Sequence, residues 1–244
     1  MADWGYCIKD CKVCGGIGYI RYEVSVHDEH FGKMYPCPNR KFVEWDSTIG
    51  VDVEEAKTLN WDEYIQNDAI RQMRQAYNAV LERGWGWLYI HGKPGNGKTI
   101  MAKSAAVYAR NVLDIPVKYR KVAEVINHLR SSYDADNGQG LYVKRLEDWS
   151  KLKMLVLDEV GRDRQTDFSK QSLSDLMDAR YQSSIKKQSI TIWVSNYAPT
   201  ETFEAYQVDR IIDGRHFVLE IKGDSMRPTI NGTKTIESAW WLDY

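Results

Sequence analysis

The chain reads as an α/β protein: a mostly parallel five-stranded sheet flanked by helices, preceded by a small cysteine-bearing lobe. Three observations predict this. After residue 65, five short apolar or alternating segments are separated by amphipathic helical stretches, the order that builds a parallel sheet covered on both faces. A glycine-rich octet stands between the first of those strands and the helix after it. All four cysteines fall within the first 37 of 244 residues.

The lobe comes first. Cys11-Lys12-Val13-Cys14, followed by Gly15-Gly16-Ile17-Gly18, has the form of a zinc knuckle, two thiolates flanking a turn that glycines permit. Residues 19–26 alternate as a strand should, and Cys37-Pro38 returns after a turn near Gly32. The outline is a zinc ribbon over residues 1–41, expected to dock a partner. A second Cys-x-x-Cys would end at position 40, which is Arg40. The ligand joining Cys11, Cys14 and Cys37 is therefore Cys7, with His27 or His30 as substitutes. A lobe this small buries too little apolar surface to fold alone, which favours Zn2+ over four reduced, partly buried thiols.

Residues 42–60 are mixed, partly acidic and without clear period, and read as a linker to a larger domain over 61–244. Asn60 can cap a short turn at 61–64. Ile70, Met73, Ala76, Tyr77, Val80 and Leu81 then recur at helical spacing, and Gly84 supplies the stop. Residues 85–90 form the first strand of the sheet.

The next residues, Gly92-Lys93-Pro94-Gly95-Asn96-Gly97-Lys98-Thr99, fit G-x-x-x-x-G-K-[ST] at every fixed position. The glycines let backbone N–H groups close around phosphate oxygens. Lys98 supplies a positive charge for the outer phosphates. Thr99 opens a helix whose N-terminus favours anions, and its hydroxyl can ligate magnesium. This is a P-loop between strand and helix.

The helix at 100–109 ends before Pro116. A strand at 117–119, helices at 122–132 and 141–149 around a polar break at 134–138, and a strand at 153–157 follow. That strand runs into Asp158-Glu159. Asp158 stands where a carboxylate would hold magnesium beside the P-loop, and Glu159 is placed to polarise an attacking water, the rival being an ordinary acidic turn. A helix at 169–184 leads to a strand at 189–194, which ends in Ser195-Asn196. The Asn196 amide can orient the attacking water without adding charge. Phe217, Leu219 and Ile221 alternate as an edge strand.

These motifs, with Leu157-Asp158-Glu159-Val160-Gly161, Val194-Ser195-Asn196, Asp209-Arg210-Ile211-Ile212 and Gly223-Asp224-Ser225-Met226-Arg227, resemble AAA+ ATPases of the DnaC, DnaI and IstB group over about residues 57–228. The resemblance implies an AAA+ core that hydrolyses ATP. The nucleotide set is then Gly92, Lys93, Pro94, Gly95, Asn96, Gly97, Lys98, Thr99, Ile100 and Asp158, with Mg2+ on Thr99 and Asp158. Glu159, Asn196, Arg210 and Arg227 are the catalytic set, Arg210 corresponding to an arginine finger and Arg227 to sensor 2. A bland reading pairs Arg210 with Asp209 or Asp213 on a helix surface. Only 17 residues follow Arg227, so the helical lid is curtailed.

By the same resemblance the protein is a helicase loader: a homo-oligomer that holds single-stranded DNA and docks on a replicative hexameric helicase. The alternatives are an IstB-like transposition ATPase and a nucleotide-binding adaptor that inhibits a helicase. For DNA, Lys118, Arg120, Lys121 and Arg130 cluster around Tyr119, and Arg162 and Arg164 follow the acidic pair. The net charge of −1 gives no global nucleic-acid signature. Trp240-Trp241 is a core anchor or a partner contact. No apolar run approaches the roughly 20 residues of a membrane span, and Met1-Ala2-Asp3-Trp4-Gly5 lacks an export signal. A soluble, cytoplasmic protein is expected.

Overall fold

Small as it is, the N-terminal lobe has a hairpin: β1 (Tyr19–Ile20) pairs antiparallel with β2 (Tyr35–Pro36) in a computed structural model. The structure describes residues 11–15, 19–37, 49–52, 55–56, 59, 68–132, 138–162 and 166–222. The strand expected over 19–26 is shorter than its alternation implies. A two-stranded ribbon is marginal on its own, and the intervening chain forms turns instead, with Asp28 N–H donating to Ser25 O at 2.9 Å and Phe31 N–H to Asp28 O at 3.0 Å. Cys11, Cys14 and Cys37 are buried at its base, with Ile20 packed against them.

In the larger body, β3 (Gly86–Gly92), β4 (Val117–Lys121), β5 (Met154–Val160), β6 (Ile190–Ser195) and β7 (Phe217–Ile221) form one sheet in the order β4-β5-β6-β3-β7. Every neighbouring pair is parallel, so all five C-terminal ends share one edge. The central strands are mostly apolar because both faces are covered. Leu88 and Ile90, Met154 and Val156, Ile192 and Val194 face one layer, while Trp87 and Tyr89, Leu155 and Leu157, and Trp193 face the other.

The first layer is α1 (Asp68–Arg83) and α2 (Lys98–Asn111). Ile70, Met73, Tyr77, Val80 and Leu81 of α1 and the alanines of α2 fill it, and short side chains let α2 lie close to the sheet. Gly84 ends α1 by donating to Val80 O and Leu81 O, both at 3.1 Å. The second layer is α3 (Val122–Arg130), α4 (Gly138–Ser150) and α5 (Asp167–Ile185). Thr166 caps α5 by accepting from Ser169 N–H at 3.2 Å, which starts that helix two residues before the expected position. Two short helices, α6 (Pro199–Thr202) and α7 (Ala205–Ile211), follow β6. Their side-chain caps, Glu201 on Ala198 N–H and Gln207 on Glu204 N–H, are too local for hydrophobic periodicity to reveal.

The segment read as a linker packs on the core. Ile49 and Val51 are buried in the first layer, Ala56 and Leu59 lean on it, and Glu55 pairs with Lys103 at 2.6 Å. Tyr119 N–H donates to Ile49 O at 2.6 Å, so this stretch covers the outer edge of β4. Alternating apolar residues beside an open strand edge account for the difference.

Candidate nucleotide site

The shared C-terminal edge of a parallel sheet is where ligands bind in open α/β folds, and the P-loop, Asp158, Glu159 and Asn196 all lie at or just past the strand ends on that edge. Beyond β3, the backbone turns through Gly92 at φ 145°, where an added Cβ would meet Ile221 O at 2.3 Å. Gly97 caps α2 at φ 84°, with no side-chain hydrogen bond to the helix and no acid in its first turn. The N-terminus of this 14-residue helix thus carries no side-chain cap, which suits it to an anion.

Lys98 folds back into this loop. Its Nζ donates to Gly92 O at 2.7 Å, Lys93 O at 2.9 Å and Asn96 Oδ1 at 2.9 Å. Asn96, also buried, donates from Nδ2 to Ile221 O at 3.4 Å, so one side chain ties the loop to the end of β7. Lys93, Pro94, Thr99 and Ile100 are exposed, and Gly95 is half-buried. A glycine cradle, a cation at its base and an uncapped helix start fit a polyphosphate.

Asp158 is not on the strand beside the P-loop strand. β6 lies between β3 and β5, which places the Ser195-Asn196 turn between the P-loop and the acidic pair. Asp158 is buried, accepting from Tyr119 Oη at 2.6 Å on Oδ2 and from Glu159 N–H at 2.7 Å on Oδ1. Each oxygen keeps acceptor capacity, so the residue fits a magnesium ligand. Glu159 has φ 58° and stands where the β5–β6 register breaks between Leu157 and Val160. Left-handed backbone costs a non-glycine residue about 1–2 kcal/mol, strain of the kind kept at functional sites. Its Oε1 meets Lys121 Nζ at 3.0 Å and Arg162 at 2.8 Å. Ser195 Oγ donates to Val160 O at 2.8 Å and locks the tips of β5 and β6 together. Asn196 is exposed beside it.

Arg210 is not brought to the P-loop of its own chain. It forms an ion pair with Asp178 of α5, and its guanidinium lies 5.5 Å from the ring centres of both Tyr181 and Tyr206. Neither Asp209 nor Asp213 is its partner in that pair: Asp213 is taken by Arg215 and by Tyr181 Oη at 2.8 Å, which hold its carboxyl well below the usual range. Arg164, Arg227 and Trp240-Trp241 lie outside the described residues. So does Cys7.

The basic cluster read as a DNA contact is engaged within the chain. Lys118 lies over Trp149, Arg130 over Phe168, and Arg120 donates to Ile49 O and Tyr119 O. Tyr119, the aromatic at the centre of that cluster, points inward and is buried. Its signal was the alternation of β4, which puts positions 117 and 119 on one buried face where a hydroxyl requires a partner.

In the lobe, Cys11, Cys14 and Cys37 bring their sulfurs within 4.8 Å of one another, Cys11 and Cys37 at 3.8 Å. That is nearly twice a disulfide bond and matches the edge of a zinc–thiolate tetrahedron, about 3.8 Å for Zn–S bonds of about 2.3 Å. His30 is committed elsewhere, its Nδ1 2.5 Å from Tyr35 Oη. His27 is exposed and outside the cluster.

The sequence profile of the IstB-like ATP binding protein family matches residues 71–232, well over half of the chain. The chain belongs to this family. It is an AAA+ ATPase of the DnaC, DnaI and IstB group. No curated protein matches the chain significantly. Among solved structures, the DnaC helicase loader is 22% identical with TM-score 0.53, covering 67% of this chain and 97% of DnaC. DnaI is 17% identical with TM-score 0.55, covering 72% and 94%. DnaA from Aquifex aeolicus, bound to AMPPCP, is 17% identical with TM-score 0.57, covering 68% and 51%. The chain thus spans about half the length of the replication initiation proteins it matches. No helix among the described residues is long and apolar enough to cross a membrane.

Proposed function

We propose that this family member is an ATP-dependent replicative helicase loader that binds single-stranded DNA and a hexameric helicase and hydrolyses ATP between subunits of a homo-oligomer. One observation carries the reading: the matched core has nearly the full length of the DnaC and DnaI chains, with a cysteine lobe in front of it suited to docking. In this reading Lys98 and the first N–H groups of α2 bind the phosphates, and Ile100 borders them. Thr99 and Asp158 hold Mg2+, which when bound neutralises phosphate charge. Glu159, released from Lys121 and Arg162, accepts the proton of the attacking water, and Asn196 orients that water.

Arg210, half-buried and held by Asp178 and two tyrosines, turns outward in the assembly to complete the site of an adjacent copy, and Arg227 serves as sensor 2. Zn2+ is bound by Cys11, Cys14 and Cys37 with Cys7 as the fourth ligand. The lobe over residues 1–41 folds around that metal, and the ATPase unit extends back to include residues 49–59.

The family profile itself favours a second reading, an IstB-like ATPase that remodels target DNA for a transposase. Co-purification with the cognate hexameric helicase in ATP, with and without residues 1–41, separates the two. Capture that needs the lobe supports the loader; capture of a cognate transposase instead supports the second reading. A helicase complex that never turns over ATP on single-stranded DNA marks an inhibitory adaptor and contradicts both.

A further inference from the structure

We propose that Tyr119 is a positioning residue for Asp158, fixing the carboxylate that receives the magnesium ion. The inference rests on the assignment of Asp158 as a metal ligand and adds a residue outside every motif of the site. The two side chains are only 4% and 2% exposed, and the phenol donates to Asp158 Oδ2 at 2.6 Å. With Glu159 N–H on Oδ1 at 2.7 Å, both carboxylate oxygens are restrained, so the side-chain torsion is set before any metal arrives. A donor shared between two buried groups fixes orientation in the way that partners of metal ligands commonly do.

The tyrosine is itself tightly placed. β4 pairs with β5 in register, Tyr119 opposite Val156 and Lys121 opposite Asp158. The Tyr119 N–H is bound to Ile49 O at 2.6 Å. Lys103, paired with Glu55 at 2.6 Å, lies 5.7 Å from the ring centre. The phenol therefore has little freedom to leave Asp158, and the segment following the cysteine lobe helps to hold it.

The test is Tyr119→Phe, which keeps the ring and removes the donor. Mn2+ stands in for magnesium, and its affinity for the protein–ADP complex is read by electron paramagnetic resonance. The expected result is a weakening of Mn2+ binding by about tenfold, with ADP affinity in EDTA unchanged. Tyr119→His, which offers a shorter ring donor, should fall between Phe and wild type. Wild-type Mn2+ affinity in both variants, or affinity that follows melting temperature rather than the presence of a donor, overturns the proposal. Asp158→Asn is measured in parallel. If that variant binds Mn2+ normally, the assignment of Asp158 fails; if it loses Mn2+ while Tyr119→Phe keeps it, only the role of Tyr119 fails.

Discussion

His216 offers a quantitative test of how β3 is held in place. Its Nδ1 accepts from the N–H of Trp87 at 3.2 Å, and its ring stacks on the Trp87 indole at 5.1 Å between centres. Trp87 belongs to the strand that delivers the P-loop. Burial disfavours the charged imidazolium and pushes the imidazole down from its ordinary 6.5 to about 4; a proton on Nδ1 would in addition evict the Trp87 donor. The folded-state value lies below the unfolded one, so the unfolded chain binds the extra proton and stability falls as pH drops from about 6.5 to about 4. The difference between 6.5 and about 4 corresponds to about 3.4 kcal/mol. The ring is part-exposed, and solvent screening reduces this to roughly 2 kcal/mol. Urea denaturation at pH 7.5 and at pH 4.5 should therefore show a larger stability loss in the wild type than in His216→Gln. Equal losses in the two proteins would refute the reasoning.

Arg180→Met should destabilise by roughly 3 kcal/mol in urea, because the fully buried guanidinium donates to Ser150 O, Leu152 O, Ile190 O and Thr191 Oγ1 at the base of β5 and β6. That loss is net of the relief from no longer burying a charge, which lowers the arginine to about 9; an unchanged midpoint would show that water replaces these bonds. Purified protein should release one equivalent of zinc to a colorimetric chelator after thiol modification, and Cys14→Ser should release clearly less. Retention of a full equivalent by that variant would remove Cys14 from the metal site.

Much of the fold was legible because burial on both faces of a parallel sheet writes long apolar runs, as in residues 87–90, 154–157 and 190–194. The P-loop was legible because close approach to phosphate admits few residue types at Gly92, Gly97 and Lys98. What escaped depends on contacts distant in sequence. Nothing near Arg210 names Asp178 as its partner, and nothing near Tyr119 names Asp158, 39 positions away. The linker reading missed these contacts for the same reason: Ile49 and Val51 look unremarkable until the open edge of β4 is beside them. The short hairpin shows the opposite error, alternation without a second layer to stabilise it among the described residues.

The central claim is that one subunit holds ATP at Lys98 while an adjacent copy supplies Arg210. Lys98→Ala should lose nucleotide binding, and Arg210→Ala should keep it while losing turnover stimulated by single-stranded DNA, so each variant alone is inactive. Mixed together, Arg210→Ala subunits retain intact ATP sites and Lys98→Ala subunits retain Arg210. The account predicts that the mixture recovers a substantial share of wild-type ATP turnover. A mixture as dead as its components, or normal turnover by Arg210→Ala alone, would contradict it.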